Sequence, residues 1–573
     1  MRKIISILLV FCMVIGTFTA CGKSKETNSN AEQQTTTAVS DATKDSTSAD
    51  TAAADSNAEI VDGKFVKTRQ ITVEVYDRAN DGGSKPEDNY YANYIKEGML
   101  RDHNVEVTFV PVPRWTEVEQ LNNLLASDNA PDVCVTYDYP TIQTYADMGG
   151  VTDLNTLVED NKALLPNLWE LLGTTNIYWD KNPDTGSIWA LEAKLLVNNR
   201  INTFVREDWL KKLNIAEPKT KEEFEAMLVA FKENASTLLG ADADKMIPFS
   251  ISFDVGWRSD DLISSFIPDS ITDKDYYVNG FDDRKLLQPG TKEAIRTLNK
   301  WYNEGLVWKD FALYPAGDTT EDNLMKAGYV GAFIHNWDYP YRNGEDSIQS
   351  NLQRLVGPDS GYIAISSFPN DAGLYKKYLP GPIDRKIFLP ATNDEPVASL
   401  MYLDWISKPE NRQFLQIGDE GVTHETQADG SIKLIAATGE KIMNSVNNLD
   451  YTITCNGLDL GDKDKTVKSI ALGYAGVDQR YIEKAYAASM TDPRVGRNTN
   501  VGKITSEQGV GTSLTDKRNA LYDQAVVAAA DKFDEVFDSG LKDYLSSGGQ
   551  AIMDERKAAW EKYFGDSTSL PEQ

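Results

Sequence analysis

His103, His335 and His424 are the only imidazoles in the chain, and their spacing builds neither a metal site nor a proton relay. No G-x-S-x-G, no H-E-x-x-H and no phosphate-cradling glycine loop occurs. Carboxylates are plentiful, with 87 Asp and Glu against 58 Lys and Arg, so a pair at glycosidase-like separation could always be drawn and carries no weight. Asp180-Lys181-Asn182-Pro183-Asp184 alternates oxygen ligands as a calcium loop does. Gly186 comes one place late for that loop, however, and position twelve is Leu191, so a hairpin turn is the reading. No catalytic residue, metal or cofactor is expected, and the chain reads as a binder rather than an enzyme. What it offers is rings beside acids where apolar runs end. Tyr137, Asp138 and Tyr139 follow Val133-Cys134-Val135-Thr136, and Asn336, Trp337, Asp338 and Tyr339 follow Val330 to His335. In open α/β sheets, ligands gather where strands end. His335 either donates to a ligand or is a satisfied strand histidine.

The elements that must hold these groups can be read from periodicity. Arg69 to Tyr76 alternates as a strand, a helix is expected from about Asn89 to Asp102, and a second strand over Val105 to Val110. Thr116-x-x-Glu119 and Thr220-x-x-Glu223 have capping-box spacing, and Ser407 to Glu410 opens another helix. Thr291 to Asn303 is amphipathic, and Thr515 to Phe564 is strongly helical. The alternation of strand and helix predicts an α/β protein.

Length and charge narrow the class. A chain of 573 residues has room for more than one domain, and its formal charge of −29 repels phosphate backbones, which excludes nucleic acid as a partner. Cys134 and Cys455 are the only candidates for a disulfide in the folded part, and Cys134 sits in an apolar run, so the fold must rest on its cores. Residues 1–20 read as a signal peptide: Arg2 and Lys3, then an apolar stretch too short to span a bilayer comfortably. Ala20-Cys21-Gly22 resembles the bacterial lipobox, with Phe18 where Leu is usual, which implies acylation of Cys21. Residues 21–63 then form a polar tether without a core, about 35 Å in r.m.s. span.

Several segments in order resemble the extracellular solute-binding proteins of ABC importers, in the maltodextrin-binding-like group and its large lipoprotein branch for plant-polysaccharide oligosaccharides such as aldouronates. They are Leu121 to Val133 (helix, then Pro-Asp and an apolar strand), Arg206-Glu207-Asp208-Trp209-Leu210 with Pro218 and Thr220, Gly328 to Trp337, Val397 to Glu425, and Tyr544 to Phe564. The branch's calcium-suited loop after Phe231 is poorly kept, because Lys232 to Lys245 offers only Glu233, Asp242 and Asp244.

The resemblance implies a two-lobed periplasmic-binding-protein type II fold (a Venus flytrap) with extra C-terminal helices. The N-terminal lobe would hold 64–200 and 365–420, and the C-terminal lobe 201–364 and 421–573. It implies capture of an oligosaccharide between the lobes and delivery to ABC permease subunits, by a monomer lipid-anchored at the extracellular face of the cell membrane. A surface-anchored peptide- or polymer-binding, adhesin-like lipoprotein is the alternative. Rings would cover sugar C–H faces, and carboxylates, amides and arginines would satisfy the hydroxyls. On that basis the ligand-binding candidates are Tyr137, Asp138, Tyr139, Trp189, Arg206, Asp254, Trp257, Asn336, Trp337, Asp338 and Tyr339. Trp337→Ala is then expected to weaken sugar binding by about 1–3 kcal/mol and leave the thermal midpoint nearly unchanged.

Overall fold

The period-two alternation from Arg69 onward folds as expected into a strand, described here from a computed structural model. The structure describes residues 59–571 apart from 80–84, 198, 316 and 436–438. The expected leader, Cys21 acylation and most of the tether lie outside the described residues. Leaving aside two short hairpins, Ile60–Val61 with Lys64–Phe65 and His424–Thr426 with Ile432–Leu434, the strands in chain order are β1 (Arg69–Asp77), β2 (Val105–Pro113), β3 (Cys134–Thr136), β4 (Leu191–Leu195), β5 (Ile201–Arg206) and β6 (Ile247–Ser250). They continue as β7 (Val330–Asn336), β8 (Tyr362–Ile365), β9 (Lys377–Leu379), β10 (Ile383–Phe388), β11 (Cys455–Asn456) and β12 (Pro493–Val495). No helix among the described residues is long and apolar enough to cross a membrane.

Eight of these strands make two mixed four-stranded sheets, each with its own core, and the protein has the two-lobed α/β fold. The first sheet runs β11-β4-β10-β3, with β10 antiparallel to both neighbours. The parallel pair β1–β2 extends it through a bridge between Val73 and Val133. The second sheet runs β8-β5-β7-β6, with β5 antiparallel to β8 and β7.

Helices close both sheets. In the first lobe, helix Tyr90–His103 is capped by Asn89, whose side chain accepts from the N–H groups of Tyr91 and Ala92. It packs against helix Pro396–Ser407 at Gly98, where a Cβ would lie 2.2 Å from the Trp405 ring, so only glycine permits the crossing. In the second lobe, helix Gly511–Val527 lies on Thr291–Asn303, and Leu521, Tyr522 and Phe537 join the core.

The chain leaves the first core after β4, returns after β8, and leaves again after β11. β9, on the return from the second core to the first, pairs in parallel with β12, which lies between two helices of the second lobe, Gln479–Ser489 and Gly511–Val527. The first core also takes Tyr451, Ile453 and Cys455, which differs from the expected assignment of 421–573 to the second lobe. The reason is that β11 pairs with β4 of the first sheet. Thr116 makes no side-chain cap, because Arg114–Thr116 is a short 3-10 turn, whereas Thr220 does accept from the Glu223 N–H at 3.1 Å. Ser407 closes helix Pro396–Ser407 rather than opening the next one. Cys134 and Cys455 are buried free thiols.

Candidate functional site

The C-terminal ends of β1, β2 and β3 lie side by side. Glu117 fixes the loop that leaves β3: one oxygen accepts from Thr136 Oγ1 and the Tyr137 N–H at 3.3 and 3.2 Å, the other from Arg114 at 3.2 Å. The Arg114 guanidinium stands 4.5 Å from the Tyr137 ring centre and 5.1 Å from that of Tyr76, and the two rings stack at 6.5 Å. Asp138 is a helix cap. It accepts from the Thr141 N–H and hydroxyl, at 3.2 and 2.5 Å, at the start of helix Tyr139–Asp147. An acid ahead of a helix has this simpler use, and Asp138 does not line the cavity described below.

In the second lobe most of the candidates are committed to the fold. Arg206 is 1% exposed, donates twice to Asp208 at 2.9 and 2.7 Å and once to the Gly328 carbonyl at 2.7 Å, and lies over Trp209. It is a core strut, not a ligand residue. Asp254 caps Val255–Arg258 through the Trp257 N–H and pairs with Arg284 at 2.8 Å. Trp257 is half-buried between the guanidinium groups of Arg200 and Arg284, at 5.1 and 4.9 Å.

Trp337, expected as the principal ring for a ligand, is 9% exposed and belongs to the second core, with the edges of Tyr474 and Tyr486 against it at 6.2 and 6.0 Å. Asp338 accepts from Tyr474 Oη at 2.6 Å and pairs with Arg342. Tyr339 stacks on His335 and donates to Asp322 at 3.0 Å. Burial, then Arg258 and Arg342, hold the His335 pKa far below its usual value, so the ring is neutral. It accepts the Asn336 N–H at Nδ1, 2.8 Å away, as a satisfied strand histidine.

The space that could take a ligand is a cleft of about 920 Å³. One wall comes from the first lobe: Tyr139, Gln143, Trp179, Asp180, Asn182 and Trp189. The other comes from Tyr277, Arg556 and the segment 498–512. Four aromatic side chains (Tyr139, Trp179, Trp189, Tyr277) and five carboxamides (Gln143, Asn182, Asn498, Asn500, Gln508) therefore face one cavity.

Asn498 ties the outer segment down by donating to the Trp179 carbonyl at 2.6 Å, and Lys503 pairs with Asp147 at 3.2 Å. Trp179 is seated against Gly381, where an added Cβ would come within 2.8 Å of its ring. A smaller cavity of about 370 Å³ adjoins, sharing Tyr277, Thr499 and Arg556.

Of the eleven candidates, Tyr139 and Trp189 line this cleft and the other nine do not. Sequence pattern does not single out Trp179, Tyr277 or the amides of 498–508. The one cue for Trp179 is its position beside the Asp180 turn with its alternating oxygen ligands. Asn498 to Gln508 has no periodicity to flag it. In the loop after Phe231, Asp242 pairs with Lys245 at 2.8 Å.

The family model described as bacterial extracellular solute-binding protein matches residues 91–424, more than half of the chain. The chain belongs to the bacterial extracellular solute-binding protein family. A comparison with curated proteins gives no match. Among solved structures, the solute-binding protein resembles the FusA substrate-binding protein of the S. pneumoniae ABC transporter in complex with kestose. That match has 15% identity and a TM-score of 0.57, over 87% of this chain and 100% of the other.

It also resembles the HMO-binding, ABC-transporter-associated solute-binding protein of Bifidobacterium longum infantis, at 16% identity and a TM-score of 0.56 over 88% of this chain and 100% of that one. A third is the alginate-binding protein AlgQ2 without calcium ion, at 18% identity and a TM-score of 0.53 over 86% and 98%. At these identities the likeness bears on the fold, which the solute-binding protein shares with all three.

Proposed function

We propose that this protein captures an oligosaccharide in the cleft between its lobes, outside the cell, and delivers it to the membrane subunits of an ABC importer. In this reading it is moored by a lipid on Cys21 and performs no chemistry of its own. The observation that carries the reading is the lining of the 920 Å³ cleft. Aromatic faces cover sugar C–H surfaces, and carboxamides both donate to and accept from hydroxyls, while a peptide site needs main-chain partners in a row. Gln143 and Gln508 make no side-chain hydrogen bond within the described residues and are available for this use. Fold neighbours named for kestose and HMO binding support the same reading. Capture would proceed by closure of the lobes, driven by contacts made only in the closed state.

The test is titration with oligosaccharide and peptide panels, followed by tryptophan fluorescence. Trp179 and Trp189 place two reporters in the cleft. Saturable emission changes with one sugar series and none with peptides are expected. A response to peptides alone would replace the proposal with the adhesin-like alternative.

A further inference from the structure

Of the eleven tryptophans, Trp115 alone stands exposed, at 76%. It sits in the Arg114–Thr116 turn just beyond the end of β2. The Arg114 guanidinium lies 5.5 Å from its ring centre and 4.5 Å from that of Tyr137, and Glu117 holds this guanidinium at 3.2 Å. The indole is thereby propped from behind by a fixed cation, so a partner meets a ring that is already ordered.

Strand directions decide which way the turn faces. β3 and β4 are both antiparallel to β10 and so run together. β1 joins β3 in parallel at Val73 and Val133, and β2 runs parallel to β1. The C-terminal ends of β1 to β4 therefore share one end of the first lobe. From that end, after Leu195, the chain passes to the second core at Ile201. Trp115 accordingly stands on the side of the first lobe that faces the second.

The same turn neighbours the cleft. It leads into helix Glu117–Ala126, and the cleft-lining Tyr139 opens helix Tyr139–Asp147. These helices lie side by side: Leu121, Leu125, Ile142 and Ala146 share a small core, and Tyr145 Oη donates to the Asn122 carbonyl at 3.0 Å. Packed helix axes stand about 8–10 Å apart, a gap that a short run of sugar units bridges.

We propose that Trp115 is a second sugar platform beyond the cavity, stacking on the far units of an oligosaccharide whose near units fill the cleft. The inference rests on saccharide capture as proposed above. An uncovered indole gains by shedding water from its face, and the C–H face of a sugar ring is a flat partner for it. Chain length then sets affinity: a short saccharide is held by the cleft alone, and a longer one also covers the indole.

The probes are gluco-, manno-, xylo-, galacto- and fructo-oligosaccharides from disaccharide to hexasaccharide, titrated calorimetrically into wild type, Trp115→Ala and Trp115→Tyr. In the series that binds, wild-type affinity should rise with length. Trp115→Ala should lose about tenfold on the longest members and under about twofold on the shortest that binds, at an unchanged thermal midpoint. Trp115→Tyr should recover most of that loss. Iodide quenching reads the ring directly: a long ligand should shield wild-type emission that a short one leaves open, and this difference should vanish in Trp115→Tyr. Equal losses at every length, or no loss at any, would overturn the platform. Unchanged affinities together with lost uptake by cells would overturn it too, and would give the ring to the membrane subunits. If no saccharide binds the wild type, saccharide capture itself is refuted and the platform falls with it.

Discussion

Trp337→Ala is the sharpest perturbation, because the location of this ring decides between two outcomes. The side chain is 9% exposed, its neighbours are the edges of Tyr474 and Tyr486, and its carbonyl is held by Asn202 at 3.1 Å. An indole in such a position keeps about 200 Å² from water, worth about 5 kcal/mol at about 25 cal/mol per Å². Alanine retains part of that area, and neighbours relax only partly into the cavity, so a loss of about 4 kcal/mol is expected. For a lobe of this size each kcal/mol moves the midpoint by about 2–3 °C, which gives a fall of about 8–12 °C. Calorimetric melting of wild type and variant, with ligand affinity measured well below both transitions, reads the two effects separately. Affinity should stay within about threefold, since Trp337 does not line the cleft. A midpoint within about 2 °C of wild type together with a large loss of affinity would refute the placement of this ring in the core.

Trp189→Ala should behave in the opposite way: affinity lower by about 10–100-fold and a midpoint moved by no more than about 3 °C, because the ring is half-buried at the cavity wall. A stability loss as large as that of Trp337→Ala would contradict this. Gly381→Ala should displace Trp179 by a few tenths of an ångström or more and weaken ligand binding several-fold, readable as a shifted tryptophan emission before any ligand is added. Emission and affinity both unchanged would show that the contact is slack.

Glu74 carries a pH signature. Burial, opposed by the Val135 N–H and aided by Glu117, raises its pKa from 4.5 to about 8. The folded value lies above the unfolded one, so its contribution to stability is present below about pH 4.5 and lost as pH rises through about 8, roughly 3–6 kcal/mol in all. Glu74→Gln should therefore gain on the wild type between pH 5 and pH 9 in denaturant melts, and parallel pH curves for the two proteins would rule out the assignment.

What was legible in the sequence was local. The alternation from Arg69, the asparagine ahead of Tyr90 and the apolar run into Asn336 each fix an element from its own residues, and those elements formed. The functional residues were harder to read because exposure is decided by distant chain. Trp337 ends a strand, as a ligand ring would, but Tyr474 and Tyr486 arrive about 140 residues later and cover it. Asp138 and Asp254 each stand before a helix, and a carboxylate there meets the helix's unpaired N–H groups before it meets any ligand. Arg206 has the fork that would suit sugar hydroxyls, yet Asp208 and the Gly328 carbonyl take it up and the fold removes the side chain from water. The cleft's outer wall comes from 498–512, a stretch held by individual side-chain bonds to the first lobe, such as Asn498 to Trp179, rather than by a repeating pattern. Nothing in its own composition announces that role.

The pairing of β9 with β12 has a mechanical consequence. β9 lies on the return from the second core to the first, and it shares a parallel ladder, Lys377 to Leu379 against Pro493 to Val495, with a strand set between two helices of the second lobe. A single strand can swivel freely, whereas two laced ribbons resist twisting and shear and yield mainly to flexing across their width. The segment returning to the first core is thereby tied to the second lobe as far as Leu379, where the ladder ends.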